Sequence, residues 1–185
     1  MRSLSFFRTI GAGAFGTVYL AELNSGQNFR RNIAVKIMSS TEEKDLLFVK
    51  RMRDEARLLG LLQDDEILQV IGLEKIESKD AILMEYVEGI DLAKIIAQKY
   101  QLPHKTIATI GAICSGVLHR AHTAIDPRTH KPLNVIHRDI KPANVIIDKE
   151  GFARLLDFGI ASFFKVDKEI QPDETRLILG TEAYM

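Results

Sequence analysis

The stretch His137-Arg138-Asp139-Ile140-Lys141-Pro142-Ala143-Asn144 constrains this chain more than any other. It sets an acid, a lysine and an amide on one short loop, and Asp157-Phe158-Gly159 follows thirteen residues after Asn144. A carboxylate, an ammonium and two oxygen ligands for a metal are what phosphoryl transfer to a hydroxyl requires. At ordinary residue usage, H-R-D-x-x-x-x-N arises by chance in roughly one chain in a thousand of this length. A polar connection between helix and strand is the bland alternative, and it does not demand these residue types.

A glycine loop lies far upstream. Residues 4–10 read as a strand, and Gly11-Ala12-Gly13-Ala14-Phe15-Gly16 follows. The glycine triplet alone is weak, because chance supplies G-x-G-x-x-G in roughly one such chain in fifteen. A dinucleotide-binding turn would open a helix at its third glycine. Here Thr17-Val18-Tyr19-Leu20 follows, which favours a strand. Glycine lets backbone N–H groups approach a phosphate closely. Residues 33–38 are the next strand, and alternation puts Ala34, Lys36 and Met38 on one face. A turn is expected over residues 23–32.

Residues 41–62 have helical spacing, with Leu47, Met52, Glu55, Leu58 and Leu59 near one face. Asp54 and Glu55 both lie in this charged run, and Glu55 falls one turn before Leu58 and Leu59. Residues 67–73 and 81–85 read as two further strands around a turn at 76–80. Asp91 opens a helix as an N-cap. Residues 105–121 carry Ile107, Ile110, Ile113, Cys114, Val117, Leu118 and Ala121 at helical spacing, which predicts a buried helix. Residues 126–134 hold two prolines and read as a loop. His119, His122 and His130 have no companion cysteine or glutamate to complete a metal site.

These motifs resemble the protein kinase catalytic domain from Leu4 to Met185. The resemblance implies an α+β, bilobal protein-kinase-like fold. Its N-lobe, residues 1–84, would be a five-stranded antiparallel sheet with one regulatory helix. A hinge would span 85–90, and an incomplete, mainly helical C-lobe 91–185. The resemblance implies ATP as the nucleotide, with Mg²⁺, or alternatively Mn²⁺, as the metal.

Roles carry over by position. Asp139 would take or orient the substrate hydroxyl proton, and Lys141 would neutralise the γ-phosphate, a Ser/Thr-kinase trait. Lys36 would hold the α- and β-phosphates and pair with Glu55. Asn144 and Asp157 would bind the metal. Gly11, Ala12, Gly13, Gly16, Val18, Ala34 and Ile146 would surround the nucleotide. Met84 would be the gatekeeper, the Glu85 carbonyl and Val87 amide would meet the adenine edge, and Asp91 the ribose. His137 and Phe158 read as packing residues. Residues 162–180 would be the activation loop, with Thr175 as the phosphoacceptor for Arg138 and Thr181 near Asp139.

The implied activity is ATP-dependent phosphorylation of Ser/Thr hydroxyls on proteins. The competing reading is a non-catalytic, pseudokinase-like ATP-binding module, but Lys36, Asp139 and Asp157 are all intact. Kinases continue with Ala/Ser-Pro-Glu after a stretch like Gly180-Thr181-Glu182-Ala183-Tyr184-Met185, so a fragment with little activity alone is expected. Twenty-five basic residues balance twenty-five acidic ones, which gives no case for a nucleic-acid partner. No apolar run approaches the ~20 residues of a membrane span. The single cysteine, Cys114, permits no internal disulfide, so the reducing cytoplasm fits.

Overall fold

The computed structural model describes residues 3–13, 16–25, 29–38, 53–54, 56–62, 64–156 and 158. The chain divides into two compact units. One comprises Met1–Gly60 and Gln69–Tyr86, the other Leu61–Leu68 and Val87–Met185.

The first unit holds β1 (Ser3–Gly13), β2 (Gly16–Asn24), β3 (Arg30–Met38), β4 (Val70–Ile76) and β5 (Lys79–Glu85). They form a five-stranded antiparallel sheet in the order β1-β2-β3-β5-β4. Period-two alternation separates two faces. Ala21, Leu23, Ile33, Val35, Ala81 and Leu83 form a buried apolar cluster on one. Leu4, Ile37, Ile71 and Ile76 pack against it. Register puts Val18 and Ile82 opposite Lys36, and Leu20 and Met84 opposite Ala34, on the other face.

Several strand boundaries differ from the sequence expectation, two of them for reasons the packing makes plain. The turn expected over residues 23–32 is shorter, because Leu23 joins the core cluster and keeps β2 extended through Asn24, opposite Arg30. The strand expected from residue 67 starts at Val70, since Ile67 instead makes a parallel bridge to Leu155. The β4–β5 turn places Glu77 and Ser78 at φ 48° and 70°. That left-handed pair is the pattern of a type I′ hairpin turn, built here without glycine. Of the helix expected over 41–62, residues 53–54 and 56–59 are described and helical. Arg53 Nε donates to Asp80 Oδ1 at 3.0 Å, tying this helical segment to β5.

The second unit contains β6 (Gly89–Asp91), β7 (Val145–Asp148) and β8 (Ala153–Leu155) in the order β6-β7-β8. Helix α1 spans Leu92–Ala97 and α2 spans His104–Thr123. The expectation that α2 is buried needs correction. Only Val117 and Ala121 are buried on it, and Ile107 is 54% exposed. A three-residue strand such as β8 is about 10 Å long, whereas twenty helical residues span about 30 Å. Contact with β8 therefore covers only part of the apolar stripe. Among the described residues, no helix is long and apolar enough to cross a membrane.

The loop expected over residues 126–134 is a closed hairpin. Ile125 bridges Pro132, and Leu133 N donates to Ala124 O at 2.8 Å. Asp126 Oδ1 accepts from the amides of Arg128 and Thr129 at 2.7 and 3.2 Å, which shapes its tip.

Gly89 stands where β6 meets β7. A Cβ there would lie 2.2 Å from the Ile147 carbonyl oxygen and 2.9 Å from Asp148 Cα. Backbone cannot yield as a flexible side chain does. Gly89→Ala should therefore destabilise the second unit by about 1–3 kcal/mol, read as a lower urea midpoint.

Candidate functional site

Residues 137–144 form a loop closed by its own side chains. His137 is 1% exposed. Its Nδ1 accepts from the Asp139 amide at 3.3 Å, which leaves Nε2 to donate to the Leu156 carbonyl at 2.9 Å. That pattern fixes one neutral tautomer. The ring also rests against Phe158, centroids 4.7 Å apart. His137 was expected to pack; it also holds the backbone on both sides of the loop. Arg138 takes φ 59°, a left-handed conformation that turns the chain sharply before Asp139.

Three functional groups converge next. Lys141 Nζ lies 2.7 Å from Asp139 Oδ2. Asn144 Nδ2 donates to the same oxygen at 3.1 Å and to the Asp139 carbonyl at 2.8 Å. Two acceptors on one side of the amide define its orientation, since Oδ1 there would face oxygens. Asn144 is itself 7% exposed, on a 3₁₀ turn over Pro142–Asn144 that proline starts. Lys141 and Asp139 side chains remain 25% and 23% exposed, so the charged pair reaches solvent while the amide beneath it does not.

Backbone bonds join this loop to the end of β8. Leu156 N donates to Asn144 O at 2.8 Å, and Leu156 O accepts from His137. Phe158, 2% exposed, is the other flank of position 157. Asp157, Glu55, Thr175 and Thr181 lie outside the described residues, as does the rest of 159–185.

In the first unit, Gly13 pairs with Gly16 at the end of the β1–β2 hairpin, and Gly11 pairs with Val18. Gly16 has φ +151°, and a Cβ on it would meet Ile37 O at 2.3 Å. Among the described residues, a Cβ on Gly13 would meet nothing within 4 Å beyond its chain neighbours. Lys36 is 8% exposed and shares its face with Val18 and Ala34. At the end of β5, Glu85 N donates to Gln69 O and Gln69 N to Glu85 Oε1, both at 3.0 Å. This reciprocal clasp fixes residue 85, and the sequence offered no local signal for it.

Asp91 caps α1 as expected, accepting from Lys94 N at 2.8 Å while its Oδ2 lies 2.7 Å from Lys94 Nζ. Burial pushes its carboxyl up, but the Lys94 bonds outweigh that and hold it below the usual carboxylate range. Ile146 pairs with Asp91 across β6–β7. Asp148 was not anticipated. Its Oδ1 accepts from Glu150 N and Phe152 N at 3.1 and 2.8 Å, and Oδ2 from Arg154 Nε at 3.2 Å. An Asp three residues before Gly151 was the available signal.

Burial pushes the Asp148 carboxyl up, but the Phe152 amide and Arg154 guanidinium prevail and lower it. A depressed folded value means its stabilisation is present above the unfolded carboxylate pKa of ~3.9 and is lost as pH falls through the folded value. Asp148→Asn should shrink the fall in urea midpoint between about pH 5 and about pH 2.5. An unchanged acid dependence would refute this.

The strand order of the first unit and the loop chemistry of the second are those of a protein-kinase-like fold. The protein kinase domain model matches residues 4–185, and the chain belongs to that family. The serine/threonine-protein kinase PknE of Mycobacterium tuberculosis is 34% identical over 179 residues, covering 96% of this chain and 29% of PknE. The tyrosine-protein kinase MasK of Myxococcus xanthus is 31% identical over 182 residues, covering 96% of this chain and 28% of MasK. The solved PknI kinase domain of M. tuberculosis superposes with a TM-score of 0.67 at 30% identity, covering 86% of this chain and 59% of that one. Rad53 in complex with AMP-PNP gives 0.67 at 25% identity, with coverages of 85% and 38%. The chain thus spans less than a third of the length of these two curated relatives.

Proposed function

We propose that this chain carries the ATP-binding and phosphoryl-transfer residues of a protein Ser/Thr kinase. The observation that carries the reading is the convergence of Lys141 and Asn144 on one oxygen of Asp139. In the transfer, the acceptor hydroxyl oxygen bonds to the γ-phosphorus as the bond to the β,γ-bridging oxygen breaks. Asp139 receives or orients the hydroxyl proton. Lys141 offsets charge on the γ-phosphoryl oxygens, and ADP leaves. Lys36, with Glu55 as its expected partner, would hold the α- and β-phosphates, and the amides of the glycine hairpin would approach them. Glu85 and Val87 offer backbone groups to the adenine, and Asp91 its carboxylate to the ribose.

The donor chemistry fits a hard cation. Asn144 directs its amide nitrogen to Asp139, and among the described residues its Oδ1 makes no hydrogen bond. Asn144 and Asp157 would hold Mg²⁺, which supplies charge neutralisation on the phosphates when bound. Open space over Gly13 likewise fits a close phosphate approach.

PknE and MasK differ in their named acceptor class, and Lys141 supports the Ser/Thr side for this chain. The chain by itself should transfer little; carried within a complete kinase domain and given Mg²⁺ and labelled ATP, it should phosphorylate a generic Ser/Thr substrate and leave a Tyr-only substrate unlabelled. Binding of Mg·ATP with no transfer to either would instead select the non-catalytic module. Phosphopeptide mapping after the same incubation checks Thr175 as a phosphoacceptor.

A further inference from the structure

The segment Leu61–Leu68 belongs to the second unit, although the residues on both sides of it belong to the first. Helix α2 fastens it there. Arg120 Nε reaches Asp64 Oδ2 at 2.5 Å and Nη2 reaches Asp64 Oδ1 at 3.2 Å. The same Nη2 also donates to Glu66 Oε2. Asp64 Oδ1 accepts from Glu66 N at 2.9 Å, so one carboxylate sets both the turn and the arginine. The fork of a guanidinium suits this task, because it satisfies two carboxylates at once in fixed geometry. Hydrogen bonds from Arg120 hold the Asp64 carboxyl below its usual range, and the arginine's own value is raised in return.

Glu66 passes the constraint on. Its carbonyl accepts from Leu155 N at 2.8 Å, and Leu68 N donates to Leu155 O at 3.2 Å. Ile67, 2% exposed, bridges Leu155, 1% exposed, in parallel. Successive residues of an extended strand point their backbone groups to opposite sides. Leu155 therefore spends both of its groups on residues 66 and 68, while Leu156 spends both on Asn144 and His137. Hydrogen bonds and the covalent chain together link Arg120 through Glu66, Leu155 and Leu156 to the loop that holds Asp139.

We infer that Arg120 is a positioning residue for the metal-binding loop, acting through Asp64 and Glu66 to fix β8 against Asn144. This rests on the proposed reading of Asn144 and Asp157 as metal ligands. The bonds of Arg120 go to Asp64 and Glu66, so any effect on the 137–144 loop is indirect. An ion pair half open to solvent contributes little to global stability, about 0–1 kcal/mol. Its effect should therefore appear in the geometry at Leu156 more than in the unfolding midpoint.

The test uses the full chain and compares wild type with Arg120→Gln, Arg120→Lys and Glu66→Gln. AMP-PNP affinity is titrated with and without Mg²⁺, and amide hydrogen exchange is followed at Leu155 and Leu156. Arg120→Gln should weaken AMP-PNP binding in Mg²⁺ by roughly tenfold and leave metal-free affinity nearly unchanged, with faster exchange at both amides. Arg120→Lys should recover part of the loss, since one cation replaces the fork. Should Arg120→Gln fail to fold, Glu66→Gln reports the same split at smaller amplitude, because the Asp64 pair survives. A parallel loss with and without Mg²⁺, or no change in either, overturns the inference and leaves a purely structural salt bridge. If wild type binds no nucleotide under either condition, the proposed function itself falls, and the inference with it.

Discussion

Asp139→Asn should reduce phosphoryl transfer by about 10²–10⁴-fold while nucleotide binding stays close to wild type. The substitution keeps the shape of the side chain. An amide oxygen in the place of Oδ2 still accepts from Asn144 Nδ2 and still faces Lys141 Nζ. What it loses is the charge proposed to take or orient the hydroxyl proton. The loop should hold, because His137 accepts the residue 139 amide and Asn144 donates to the residue 139 carbonyl, and neither bond involves the carboxylate. The measurement, in the complete kinase domain, is transfer to a Ser/Thr substrate beside AMP-PNP titration on the same preparation. Retained transfer would remove Asp139 from the chemistry. Lost binding would show that the carboxylate supports the fold.

The features legible in sequence are those set by near neighbours. The glycine hairpin, β3 and the 137–144 loop each declare themselves over a few residues, because alternation and motif spacing act locally. Features set by distant partners were not legible. Arg120 and Asp64 are fifty-six residues apart, and nothing in either neighbourhood indicates the pairing. Ile67 looks like the start of β4 by composition, yet its partner is Leu155. The apolar stripe of α2 correctly signals a helix and overstates its burial, since periodicity reports capacity to pack and not the length of the packing surface. His137 was legible as a core residue, but its bond to the Leu156 carbonyl depends on where that distant residue falls.

The glycines at the β1–β2 hairpin should respond oppositely to the same substitution. Gly16→Ala should destabilise the first unit by about 2–5 kcal/mol. Its φ of +151° is rarely accessible to an L side chain, and the new methyl would lie 2.3 Å from Ile37 O and 3.1 Å from Met38 Cα. Those atoms belong to the backbone of β3, paired opposite Gly16 and Thr17, so relief requires the two strands to separate. Lys36 lies on that same stretch of β3. Strand separation there would disturb the phosphate contact proposed for Lys36 as a consequence of lost structure. Gly13→Ala meets no atom of the described residues beyond its chain neighbours within 4 Å. Stability should change by no more than about 0.5 kcal/mol. If the hairpin amides contact phosphate, the added methyl occupies the approach, and ATP affinity should fall roughly tenfold, about one charged hydrogen bond's worth. Urea midpoints and ATP titrations on both variants separate the cases. Full ATP affinity in a stable Gly13→Ala protein would remove that glycine from the phosphate site. A Gly16→Ala protein as stable as wild type would contradict the close approach of β2 to β3.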